Sequence, residues 1–203
     1  MKLNQYLDKK KFFEFYILNI NSTNSCYEDV INVFSEVIVN PFIYPDGNYT
    51  IIISTILNSD IQQMVNAIVS DFGVNIKVFK SNKISVEKIN YLDIMKKVYY
   101  KFENLINKNY IAMHELLQVI LEKDINQMDV LKPILLDGIK KDPKLFEIVN
   151  GMFVNDLNVC KTANYVYMHR NTINNKLVVI KEETGLDIQK FQEAVLLYAL
   201  IKR

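Results

Sequence analysis

Up to about residue 80 the apolar positions change rhythm from one short stretch to the next. Phe12 to Asn21 is apolar and aromatic enough for a strand, whereas Tyr27 to Val39 carries Val30, Ile31, Phe34 and Val37 or Ile38 at helical spacing. Tyr49 to Leu57 is β-branched and predicts another strand. Before it stands Pro45-Asp46-Gly47-Asn48, a turn in which Pro fixes φ and Gly accepts a positive φ. Asn58, Ser59 and Asp60 offer N-caps for a helix whose Ile61, Met64, Val65, Ile68 and Val69 fall at i, i+3, i+4, i+7 and i+8. Gly73 stops that helix, and Val74 to Phe79 predicts a third strand. The order strand, helix, strand, helix, strand suggests a small α/β or α+β sandwich.

From Ser85 onward the spacing is helical almost without break. Ile89, Leu92, Met95 or Lys96, Tyr99 and Phe102 mark a helix to about Lys108, followed by helices over Met113 to Glu122 and Val130 to Lys140. Asp142-Pro143 restarts the pattern, with Asp as N-cap and Pro at the first helical position, where its missing N–H is harmless. The chain is therefore expected to be α+β in three parts: a small α/β domain over 1–84, a helical linker or dimerisation region over 85–141, and an all-α domain over 142–203.

In that last part Leu145, Ile148, Val149, Met152 and Phe153 make one buried helix face. Asn158 caps a short second helix, Val159 to Val166, whose Ala163 is small where two helices approach. Tyr167-Met168-His169 connects it to a third helix with Ile173, Leu177 and Ile180 inward. Thr184-Gly185 ends this helix through a left-handed cap, and Leu186 folds back on it. Asp187 caps a last helix with an inward stripe of Phe191, Ala194, Val195, Tyr198 and Ala199. Two short helices around a three-residue turn, the first with a central alanine, describe a helix-turn-helix.

Charge sharpens this reading only locally. With 24 basic and 23 acidic residues the whole chain offers no global basic field. Between Leu157 and Lys181, however, there is no Asp or Glu, while Lys161, Arg170, Lys176 and Lys181 are basic, which suits a phosphate backbone. Arg170, Asn171, Asn174 and Asn175 point outward on the third helix and can bond base edges or phosphates. His169 either caps that helix through a ring nitrogen or contacts DNA, and Thr172 either donates to phosphate or bonds its own backbone. Asn, Ile, Lys and Tyr are abundant throughout, a codon-composition bias that removes the meaning of any single Asn.

Other chemistries find little support. Cys26 and Cys160 lie far apart and only His114 and His169 accompany them, so no metal site or cofactor is expected and both cysteines read as free thiols of a cytoplasmic protein. The apolar run Phe12 to Ile20 is interrupted by Glu14 and too short to span a bilayer. No nucleophile–base pair, phosphate loop or carboxylate cluster suggests an enzyme; Asp46, Asp60, His114 and Glu115 read as ordinary turn, cap and helix residues.

The runs Asn158-Val159-Cys160-Lys161-Thr162-Ala163, Met168-His169-Arg170-Asn171-Thr172-Ile173, Lys176-Leu177 and Thr184-Gly185-Leu186-Asp187 resemble the C-terminal helix-turn-helix of the PucR and CdaR (sugar diacid regulator) family, from about Leu131 to Arg203. The resemblance implies a transcription regulator that binds double-stranded DNA as a homodimer or higher oligomer. The N-terminal α/β region and the central helices are expected to mediate dimerisation, the sensing of a small-molecule effector, or both, and no membrane partner is expected. The candidate DNA-binding set is Lys161, Thr162, His169, Arg170, Asn171, Thr172, Asn174, Asn175, Lys176 and Lys181, with a recognition helix over about 170–183 in the major groove. Many members carry a degenerate GGDEF-like domain upstream, and residues 10–80 are compatible with a shortened version; without a GGDEF motif, cyclase activity is not implied. Val166-Tyr167-Met168 and Asn174-Asn175-Lys176 depart from the family pattern, so no operator sequence carries over. The competing reading is a non-enzymatic sensor or interaction module whose helix-turn-helix has degenerated into a protein-binding surface.

Overall fold

The structure, a computed structural model, describes residues 2–21, 24–57 and 61–202. The expected caps Asn58, Ser59 and Asp60 lie outside the described residues. The fold is α+β and divides into two compact units, one up to Leu116 and one from Leu117 onward.

The first unit runs α1 (Leu3–Tyr6), β1 (Phe12–Asn21), α2 (Asn24–Val37), β2 (Phe42–Asp46), β3 (Tyr49–Ser54), α3 (Ile61–Phe72), β4 (Asn75–Lys80), β5 (Ile84–Ser85), α4 (Asn90–Phe102), β6 (Tyr110–Ile111) and the start of α5 (Met113–Lys123). The sheet order is β2-β3-β1-β4-β6, with β5 also on β1. β1 is antiparallel to both neighbours, Ile17 lying opposite Ile51 on one side and Phe79 on the other. The sequence of elements from β1 to β4 is the split βαβ arrangement of ferredoxin-like folds. Central placement explains why β1 is a nearly continuous apolar run: Phe13, Phe15, Tyr16, Ile17 and Leu18 are all fully buried, so both faces of the strand must be apolar.

Tyr16, Leu18, Ile52, Ile76 and Val78 face Val30, Phe34 and Ile38 from α2 and its end, and Ile61, Val65 and Ile68 from α3. The opposite face meets α4. There Phe79 stacks on Tyr99 at 4.9 Å and Tyr49 on Tyr100 at 4.1 Å, while the Tyr100 hydroxyl donates to Asp46 at 2.7 Å. The one carboxylate inside β1, Glu14, is buried and accepts from the Tyr16 hydroxyl, with Lys80 at 3.3 Å as its counter-charge.

The structure adds a strand that the turn signal concealed. Phe42–Asp46 pairs with β3, and Asp46 opposite Tyr49 leaves Gly47-Asn48 as a two-residue loop, Gly47 at φ +62°. Pro45 fits because β2 is an edge strand and need not donate outward. The helix expected over Val130 to Lys140 is two, α6 (Asn126–Leu135) and α7 (Asp137–Lys141). Pro133 removes one donor from α6, and Gly138 follows the break, leaving room for the Glu183 carboxylate where a Cβ would stand.

At the start of α5, Glu115 accepts from the Ala112 amide at 2.7 Å and lies 2.8 Å from Lys108 and 3.2 Å from His114. Burial alone would raise its carboxyl, but His114, Lys108 and the Ala112 amide hold it down to about 2.

The second unit continues with α6, α7, α8 (Pro143–Val154), α9 (Val159–Tyr165), α10 (Arg170–Thr184) and α11 (Phe191–Lys202). Asp142 caps α8, accepting from the Lys144 amide at 3.0 Å, with Pro143 at the first helical position. Asn158 caps α9 through the Lys161 amide at 3.0 Å. The two helices touch at Gly151. A Cβ there would lie 3.1 Å from Thr162 Cγ2 and 3.3 Å from Tyr165 and Val166, and the Gly151 carbonyl accepts from the Thr162 hydroxyl at 3.2 Å. Gly185, at φ +72°, terminates α10 as expected, and Leu186 is buried behind it.

The stripe expected on α11 is rotated. Ala194, Leu196, Leu197 and Leu200 are buried, whereas Phe191, Val195 and Tyr198 are exposed, Phe191 by 74%. This helix is apolar nearly all round, so its sequence offers two stripes and packing takes the leucine-rich one. Asp187 caps a turn ahead of the helix, accepting from the Gln189 amide at 3.1 Å.

Two outcomes follow for stability. Gly151→Val is expected to lower unfolding free energy in urea by about 1–3 kcal/mol through overpacking, while Gly151→Ala stays near the parent because helix propensity offsets a tight contact. Glu115 is depressed on folding, so it stabilises at pH values above its unfolded pKa of about 4.3 and loses that effect as pH falls. Glu115→Gln should unfold at lower urea than the parent near neutral pH, with the gap closing as pH approaches 2.

Candidate nucleic-acid interface

α9 and α10 are joined by a tight turn held from both sides. The Val166 amide donates to Thr162 and the Met168 amide to Ala163, each at 2.9 Å, and Tyr167 between them takes φ +53°. His169 then caps α10, its Nδ1 accepting from the Asn171 amide at 3.2 Å. The cap expected as one of two roles for His169 is present, and it occupies the ring nitrogen on the helix side. Ala163, Val166, Ile173, Leu177 and Ile180 are buried, so the seam that orients α10 is the one expected.

Burying that seam turns a definite set of side chains outward. Arg170, Asn171, Thr172, Asn174 and Asn175 are exposed on α10, and Lys161 is exposed on α9. Thr162 is the exception among the expected contacts. It is fully buried, and its hydroxyl is bonded to the Gly151 carbonyl, because its position on α9 faces α8; its side chain serves packing instead.

The acid-free stretch is acid-free only along the chain. Lys176 Nζ lies 3.2 Å from Asp142 at the cap of α8, and Lys181 Nζ lies 3.3 Å from Asp187 beyond the end of α10. The hydrogen bond from Lys176 holds the Asp142 carboxyl below its ordinary value. Among the described residues Lys161 and Arg170 have no such partner, so the uncompensated charge sits at α9 and the first turn of α10.

Three exposed residues escaped the periodicity argument. Tyr167 is 97% exposed, Tyr165 is 53% exposed, and Val178 on the outer side of α10 is 57% exposed. Tyr165 and Tyr167, with Phe146 and Asn164, line an open groove of about 650 Å³ beside the turn. Val178 was legible as the one branched aliphatic seven residues beyond Asn171, off the Ile173–Leu177–Ile180 seam. Among the described residues no group of His, Cys, Asp and Glu could hold a metal ion, and no helix is long and apolar enough to cross a membrane.

Comparison with known proteins places this assembly. The family model of the PucR C-terminal helix-turn-helix domain matches residues 145–202, a span that takes in most of α8 and all of α9, α10 and α11. No curated protein matches the chain. Among solved structures, the crystal structure of a regulator of polyketide synthase expression from Bifidobacterium adolescentis aligns at a TM-score of 0.41 and 15% identity, over 95% of this chain and 79% of that one. Over residues 145–202 this chain therefore carries the C-terminal helix-turn-helix domain of PucR-type regulators.

Proposed function

We propose that the protein is a non-enzymatic transcription regulator, of the PucR and CdaR kind, whose α10 enters the major groove of double-stranded DNA in the cytoplasm. The observation that carries this reading is the outward face of α10, Arg170 to Asn175, on a helix fixed from behind by Ile173, Leu177 and Ile180 inside a PucR-type domain. Arg170 and Asn174 read base edges, while Lys161, Thr172 and Asn175 hold phosphates. Lys176 and Lys181 contribute less, because each already faces a carboxylate. His169, spent on its cap, sets the helix start.

A twofold operator requires two recognition helices about 34 Å apart, so the working form is a homodimer. The sheet unit and the helices between it and α8 serve dimerisation, the sensing of a small-molecule effector, or both. A protein-binding role for the helix-turn-helix is the second reading. It is favoured by the compensation of Lys176 and Lys181 and by the aromatic groove at Phe146, Tyr165 and Tyr167. Salt separates the two, since only a phosphate contact releases condensed counterions with a linear slope in log salt.

Selection from a random pool of duplex DNA should enrich an inverted repeat. On the enriched duplex Arg170→Ala is expected to cost about 1–3 kcal/mol and relax preference at one position, and Lys161→Ala to weaken all sequences alike and lower the salt slope by about one. Parent-like binding by both variants in fluorescence anisotropy would remove these assignments.

A further inference from the structure

The geometry points to a recognition surface built for A·T base pairs, with Val178 reading a thymine methyl group. This rests on the DNA-binding reading above and names the sequence class that reading would select. Place matters here, not the frequency of Asn in the chain. With Ile173, Leu177 and Ile180 facing inward, helical spacing puts Asn171, Asn175 and Val178 at i, i+4 and i+7 along the outer side of α10, with Asn174 beside them.

Asn171, Asn174 and Val178 suit the same kind of base pair, while Asn175 stays on the phosphates. An amide spans adenine N7 and N6 with one donor and one acceptor, and a branched aliphatic matches the thymine C5-methyl group. Guanine is read instead by a cation that reaches O6 and N7. On α10 two of the three cations already face a carboxylate that DNA contact would have to displace, Lys176 facing Asp142 and Lys181 facing Asp187. Only Arg170, at the tip, is left for a guanine. At its far end the same outer line reaches Glu182, a carboxylate that phosphates would repel, so contact ends near Val178. From Arg170 to Val178 the helix rises about 12 Å, which spans about four base pairs at about 3.4 Å each.

A selected half-site should thus hold a short A·T core with a guanine at one flank. The test uses the full chain and duplexes enriched from a random pool, each then remade with one thymine replaced by uracil, which removes only the methyl group. At one core position the exchange should weaken the parent about three- to fivefold, the effect of one methyl group taken out of water. Val178→Ser, an exposed substitution whose thermal midpoint should stay near the parent's and whose side chain offers no methyl group, should bind the thymine and uracil duplexes alike. An enriched core of G·C pairs overturns the proposal, as does a uracil penalty of equal size in parent and variant. If no duplex is bound with sequence preference, the DNA-binding reading itself falls, and this inference with it.

Discussion

The close approach of α8 and α9 at Gly151 is the constraint on which the C-terminal unit turns. A residue without a side chain lets Thr162 pack close and reach the Gly151 carbonyl, and Val166, Tyr167 and Met168 at the end of α9 form the turn that aims α10. The angle of α10 is then fixed by packing and not by its own outward residues, which are left available for a partner. This division of labour is the physical content of the fold: inward positions are decided by volume, outward positions by chemistry.

Much of this was legible in the sequence, and the reasons differ by element. β1 matched its expected limits because a central strand buried on both faces must be apolar throughout. The caps Asp142, Asn158 and Gly185 were legible because each solves a local problem of unsatisfied backbone or left-handed φ. β2 was hidden because Pro45 argues against a strand, and the objection vanishes only at a sheet edge, which depends on neighbours the sequence does not name. α11 was read with the wrong face inward because an all-round apolar helix has no preferred phase until something packs against it.

The candidate site shows the same boundary in electrostatic form. Counting charges along the chain gave an uncompensated basic block, and the count was correct as a count. Folding brought Asp142 to Lys176 and Asp187 to Lys181 from outside that block, which shrinks the free charge to Lys161 and Arg170. Thr162 turns inward for a related reason: on a short helix next to the exposed Lys161, it shows no sign of facing α8 until the glycine opposite is seen. Val178 could be placed outward from the helix phase alone, since it stands off the Ile173–Leu177–Ile180 seam.

The sheet has a property that bears on how copies of the chain can meet. One outer strand, β2, carries Pro45, and the other, β6, is only two residues long. Neither offers the long, flat row of unpaired amides and carbonyls on which a foreign strand could template itself. Pairing of copies by strand addition is thereby discouraged at both margins of the sheet.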